Sequence, residues 1–266
     1  MNWWGKIVGG ACGFMLGGPL GALLGAALGH KVDKGLHGLP GDFGYSFGRQ
    51  DRAQTAFFTA TFSVMGYLCK ADGQVTDDEI DLAKQVMERM ELSALQRKIA
   101  VALLNEGKRG GFQIDDVLLQ LKQKIGYRPD LQRMFIEIQL YAAYANGELH
   151  PEENSLLLKI CRIFNFSRHD FENVAAAITG EIHHEQQSSR IAENSTISFE
   201  DAYAILNISA KTSDAEVKRA YRRLMSQHHP DKLVSKGLPE EMMKIAENRT
   251  YEIRQAYERI KEAKGF

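Results

Sequence analysis

The stretch AYRRLMSQHHPDK, residues 220–232, decides how the C-terminal quarter of the chain folds. Pro230 lacks a backbone N–H, and its ring keeps His229 out of the helical region. A helix arriving from Ser213 must therefore stop near His228, which places His229, Pro230 and Asp231 in a loop at its foot. Ser213 with Glu216 three residues on forms a capping box. Val217, Ala220, Tyr221 and Leu224 then share one helical face, and Lys218, Arg219, Arg222 and Arg223 share another. The apolar face predicts packing, and the row of cations predicts attraction of an acidic surface.

Upstream, Ser198 caps a short helix carrying Ala202, Tyr203, Ile205 and Leu206, and the chain breaks from Asn207 to Thr212. Downstream, Leu233 to Glu241 reads as a loop. A helix resumes from Glu240, with Ile245, Ile253, Ala256, Tyr257 and Ile260 as apolar contacts. Tyr203, Tyr221 and Tyr257 read as core residues.

The segments DAYAILNIS, AYRRLMSQHHPDK and IRQAYERI, in that order, resemble a J domain over residues 198–266. The resemblance implies a helical hairpin that docks on a DnaK-type chaperone and stimulates its ATP hydrolysis. It implies no chemistry by this chain itself, so no enzyme, and no cofactor. Carried over residue by residue, the partner-binding set is His229, Pro230, Asp231, Tyr221, Arg222 and Arg223, with Lys218, Arg219 and Lys232 at its margin. Asp231 offers two acceptor oxygens to an arginine of the partner. Pro230 stiffens the loop, so less entropy is lost on docking. Two departures stand out: Asn207 sits where many J domains have glycine, and the stretch from Leu233 to Glu241 is longer than in many members. The glycine/phenylalanine-rich and zinc-binding regions of full DnaJ proteins are absent.

Residues 50–180 have helical periodicity throughout. Phe57 to Leu68 reads as one helix, Asp72-Gly73 as a turn, and Thr76 with Glu79 as a capping box. Ile80, Ala83, Val86, Met87 and Met90 then mark a helix face. The plan recurs 74 residues later, Tyr67–Met90 matching Tyr141–Phe164, with Pro151 at the first helical position of the second copy. The Asp72-Gly73…Glu79 pattern resembles TerB-like helical domains, a family named for tellurite resistance. That resemblance implies an acidic metal-binding surface, for which Asp72, Asp77, Asp78 and Glu79 can offer oxygen ligands. Turn-and-cap chemistry explains the same residues, and His150 and Pro151 replace Thr76 and Asp77 in the second copy. A membrane-anchored metal-responsive sensor is thus the second functional reading, although no metal ligand set is assigned. Residues 181–197 read as a polar linker, with His183 and His184 solvated.

Ile7 to Leu28 holds no charged residue. About 22 residues at 1.5 Å each span roughly 33 Å, enough to cross a bilayer core. Residues 1–34 are therefore read as a transmembrane segment, with 35–49 as a juxtamembrane linker. Glycines recur every fourth residue, and Gly9, Gly13, Gly17, Gly21 and Gly25 form a face suited to helix pairing and a homodimer in lipid. A cleaved signal peptide, a glycine-rich segment packed in a soluble assembly and a span that does not self-associate compete with this reading. Lys6 precedes the run, and His30, Lys31 and Lys34 follow it. This modest excess favours a single pass through a bacterial inner membrane with the C-terminal bulk in the cytoplasm.

The fold class expected is all-α: a transmembrane helix, a TerB-like helical domain and a J-domain hairpin. A formal net charge of −1 gives no global attraction to nucleic acid. Cys12, Cys69 and Cys161 are too scattered for a disulfide framework or zinc site.

Overall fold

The structure, a computed structural model, describes residues 18–26, 49–70, 84, 86–144, 149–190 and 197–266. No strand occurs among them, as the periodicity predicts. The middle unit is built around α1 (Arg49–Cys69), on which Phe57, Phe62, Val64 and Met65 are fully buried. Two of the polar side chains enclosed on this helix bond back to carbonyls of the preceding turn. Thr61 Oγ1 donates to the Phe57 carbonyl at 2.8 Å, and Ser63 Oγ to that of Thr59 at 2.8 Å.

Packed around α1 are α2 (Ala94–Gly107), α3 (Ile114–Ile125), α4 (Pro129–Tyr144) and α5 (Pro151–Phe164), and α6 (Arg168–Arg190) lies against α4 and α5. Phe135 of α4 meets Phe57 of α1 and Phe164 of α5 edge to face, with ring centroids 5.8 and 5.5 Å apart. Helices α1 and α2 cross at Gly66 and Gly107, where neither backbone leaves room for a side chain.

In the second copy of the internal repeat, His150 caps α5 and Pro151 follows at the first position. Glu153 Oε2 accepts the His150 N–H at 3.0 Å. In the first copy Asp72, Gly73, Thr76, Asp77, Asp78 and Glu79 lie outside the described residues. Val86, Met87 and Met90, on the face expected of that helix, are buried. Cys69 and Cys161 are buried and form no disulfide with each other, and burial pushes Cys161 up to about 12, which keeps it unreactive.

Residues 18–26 are helical. Leu20 is buried, and its N–H donates to Gln120 Oε1 of α3 at 2.7 Å. Gly21 and Gly25 fall in this stretch, whereas Gly9, Gly13 and Gly17 lie outside the described residues. Among the described residues no helix is long and apolar enough to cross a membrane.

Two stretches differ from the sequence reading. Helix α6 continues to Arg190, into the segment read as a polar linker. The polar spelling misleads because Glu181 is not solvated there: it is buried and paired with two arginines. The stretch from Leu233 to Glu241, read as a loop, lies mostly in α9 (Pro230–Lys236) and a tight turn at Glu240–Met242. Pro230 ends one helix yet starts another, because the first helical position needs no N–H donor.

The C-terminal unit comprises α7 (Phe199–Leu206), α8 (Asp214–Gln227), α9 and α10 (Met243–Lys264). Ile197, Ala202, Ile205, Leu206, Val217, Leu224, Ile253, Ala256 and Ile260 form its own core. Leu233, Leu238, Met242 and Ala246 do not join it; they are buried in the core of the middle unit.

Candidate functional site: the basic helix and the His-Pro-Asp corner

Helix α8 begins where the capping box predicts. The Glu216 carboxylate accepts from the Ser213 N–H at 3.2 Å and from its hydroxyl at 2.7 Å. These two bonds hold the Glu216 carboxyl below its ordinary range. Val217 and Ala220 point inward and Leu224 is buried, while Lys218, Arg219, Arg222 and Arg223 are exposed. Tyr221 is half-buried and stacked on Tyr257 of α10, with centroids 4.1 Å apart. Lys218 Nζ lies 4.6 Å over the Phe266 ring. Arg222 and Arg223 make no ion pair among the described residues; Arg222 Nε donates to the Lys218 carbonyl at 3.3 Å.

Ahead of α8, Ser198 caps α7 by accepting the Asp201 N–H at 3.0 Å. Asn207 ends α7 in the left-handed conformation, at φ 51° and ψ 55°. That backbone explains why glycine is common at this position and why asparagine serves in its place.

At the foot of α8 the chain turns sharply. His229 is exposed and caps α9, Pro230 is half-buried at the first position, and Asp231 is exposed in the first turn. The corner is therefore the junction of two helices rather than a free loop. Lys232 Nζ donates to Ser226 Oγ at 2.8 Å, tying the two arms of the corner together. Arg222 and Arg223 on α8, and His229, Asp231 and Lys232 at the corner that ends it, are all exposed.

Sequence reasoning missed what stands behind this surface. His228, the residue before the motif, is 1% exposed. Its Nε2 is 2.9 and 3.0 Å from the two carboxylate oxygens of Glu137 on α4, and its Nδ1 is 2.9 Å from the Leu224 carbonyl. Both ring nitrogens face acceptors, a pattern that the doubly protonated imidazolium satisfies. Burial alone pushes the Glu137 carboxyl up. The charge and hydrogen bond of His228, with Arg249 and Arg133 beyond, outweigh it and hold Glu137 at about 2.

A depressed carboxylate contributes stability above its unfolded value, and that contribution is lost as pH falls through the folded one. The stability difference between the unaltered protein and Glu137→Gln should therefore be fully present just above pH 4.5, the ordinary value of the carboxyl. It should shrink as pH drops from 4.5 toward about 2. Urea unfolding across that range checks the sign; a difference that grows on acidification contradicts it.

A polar cavity of about 280 Å³ opens beside this pair, between the two units, and is bordered by Arg133, His169, Asn173, Arg223 and Arg249. Among the described residues no three His, Cys, Asp or Glu side chains are grouped to hold a metal ion.

Comparison with known proteins matches this organisation segment by segment. The family model of the co-chaperone DjlA transmembrane domain matches residues 1–49, that of tellurite resistance protein TerB residues 58–176, and that of the DnaJ domain residues 201–264. The chain is 40% identical to the co-chaperone protein DjlA of Coxiella burnetii over the whole of both chains. It is 39% identical to that of Photobacterium profundum over 99% of each, and 41% identical to that of Photorhabdus laumondii over the whole of both. No solved structure matches. With all three segments present in order and full-length relatives at this identity, the chain belongs to the DjlA family of membrane-anchored J-domain co-chaperones.

Proposed function

We propose that this chain recruits a cytoplasmic DnaK-type chaperone to a bacterial inner membrane and stimulates its ATP hydrolysis, performing no chemistry itself. The observation that carries the reading is the exposure of Arg222 and Arg223 on α8 together with that of His229 and Asp231 at the corner that ends it. The cations steer an acidic partner face into contact. The corner then presents a carboxylate for bidentate capture by a guanidinium. Membrane tethering raises the local concentration of the docking surface. Pairing of two chains through the glycine face of the N-terminal span fits the four-residue glycine spacing.

The test is the steady-state ATPase rate of a DnaK-type chaperone with the full-length protein in lipid nanodiscs. The unaltered chain should stimulate, and His229→Gln should return the rate to its unstimulated level. Equal stimulation by both would refute the assignment of the corner. Added salt should raise the concentration needed for half-maximal stimulation, because exposed charges are screened; indifference to salt would remove the steering role of α8.

A further inference from the structure

The J unit is bolted to the middle unit at separate points. At Gly180, α6 lies so close to α7 that an added Cβ would meet Ala204 Cβ and the Asp201 carbonyl, both at 3.4 Å. Helix α9 inserts Leu233, and the turn after it Leu238 and Met242, into the core of the middle unit. Gly237 closes α9 at φ 111°, and a side chain there would meet Ala53 Cβ at 3.0 Å. Around this seat Gln54 Nε2 donates to the Leu238 carbonyl at 3.1 Å, Arg128 donates to the Lys236 carbonyl, and Lys236 pairs with Asp130. His228 meets Glu137 directly behind the corner.

These contacts share one outcome. The His229-Pro230-Asp231 corner lies between two anchored residues, His228 before it and Leu233 after it. Both anchors are held by the middle unit, and the corner itself still faces solvent. An isolated hairpin would have to order this segment when its partner arrives, at an entropic cost; here the ordering is done in advance.

We propose that the middle unit is a positioning element for partner docking, and that Glu137 is its positioning residue, acting through His228 on the His-Pro-Asp corner. The inference rests on the docking role proposed above. It assigns the TerB-like segment a task inside the chain: it sets the angle and rigidity of the surface that the DnaK-type partner meets.

The experiment is a titration of that ATPase stimulation with the full-length protein in nanodiscs, comparing the unaltered chain with Glu137→Ala and Glu137→Gln. Removing the anchor should raise the half-maximal concentration about three- to tenfold, the effect of ordering one or two more side chains on docking. The saturating rate should be kept, because the corner itself is unchanged. Glu137→Gln retains an acceptor oxygen and should shift the curve less. His229→Gln, by contrast, should lower the saturating rate. Should Glu137→Ala fail to fold, Asp130→Lys tests the second anchor at the surface, and adding Lys236→Asp should restore the curve. Curves of folded Glu137 and Asp130 variants that superimpose on the unaltered one overturn the positioning role while leaving the docking role intact. No stimulation by the unaltered chain overturns both.

Discussion

Alanine at Gly107 is expected to lower the stability of the middle unit by about 3 kcal/mol or more, enough to unfold a marginal domain. The added Cβ would stand 1.8 Å from the Ser63 carbonyl oxygen, and one added at Gly66 would stand 2.1 Å from that of Leu104. Both obstacles are backbone atoms, so no rotamer change relieves them. Helices α1 and α2 would have to separate, and α1 is the helix against which the middle unit packs. Gly110 is the control, because its Cβ would meet nothing within 4 Å. Thermal melts of the two alanine variants check the claim. A Gly107→Ala melting point within a few degrees of that of Gly110→Ala would show that the crossing can relax.

Glu181→Ala is expected to cost about 3–5 kcal/mol, the range for removing one partner from a buried ion pair. Glu181 Oε1 is 2.5 Å from Arg89 Nη2, and Oε2 is 2.6 Å from Arg249 Nη1. The Glu181 and Arg249 side chains are 4% and 5% exposed. Without the carboxylate, two guanidinium groups face each other away from water. Arg89 keeps its place over the Tyr141 ring, 4.2 Å from the centroid, and part of its contact area. Arg249 Nε already lacks a hydrogen-bond partner in this buried setting, so Arg249 bears most of the loss. Because the network joins the middle unit to α10, the variant should also unfold in two steps where the unaltered protein unfolds in one. Urea denaturation followed by both circular dichroism and tyrosine fluorescence would show this as non-coincident transitions. Coincident curves with a shift below about 1 kcal/mol would mean that water replaces the carboxylate.

The parts of this fold legible from sequence are those set by neighbours along the chain. Ser213 and Glu216 start α8, and Asn207 ends α7 in a left-handed turn. His150, Pro151 and Glu153 cap α5. Each is a local hydrogen-bonding problem with a local answer. The basic face followed for the same reason: a 3.6-residue period separates Val217, Ala220 and Leu224 from Arg219, Arg222 and Arg223. What escaped notice depends on distant partners. Glu137 and His228 lie 91 positions apart, and neither sits in a pattern that announces the other. Glu181 reads as one more polar residue of a polar stretch until Arg89 and Arg249 are brought to it. Pro230 is ambiguous by nature, since proline both stops and starts helices. One clue was available: Leu233, Val234 and Leu238 make the supposed loop too apolar to lie in water.

The division of buried side chains between two cores means that the boundary drawn along the chain is not the boundary of cooperative unfolding. The segment carrying Leu233, Leu238, Met242 and Ala246 is covalently part of the J unit but energetically part of the middle one. Amide exchange there should follow the opening of the middle helices rather than that of α7 and α8. A fragment cut at residue 197 would bare those four side chains as a sticky strip, free to seize unrelated chains. Held in place, the same strip ties the two units together, so a load on the middle helices would reach the His-Pro-Asp corner through packed side chains.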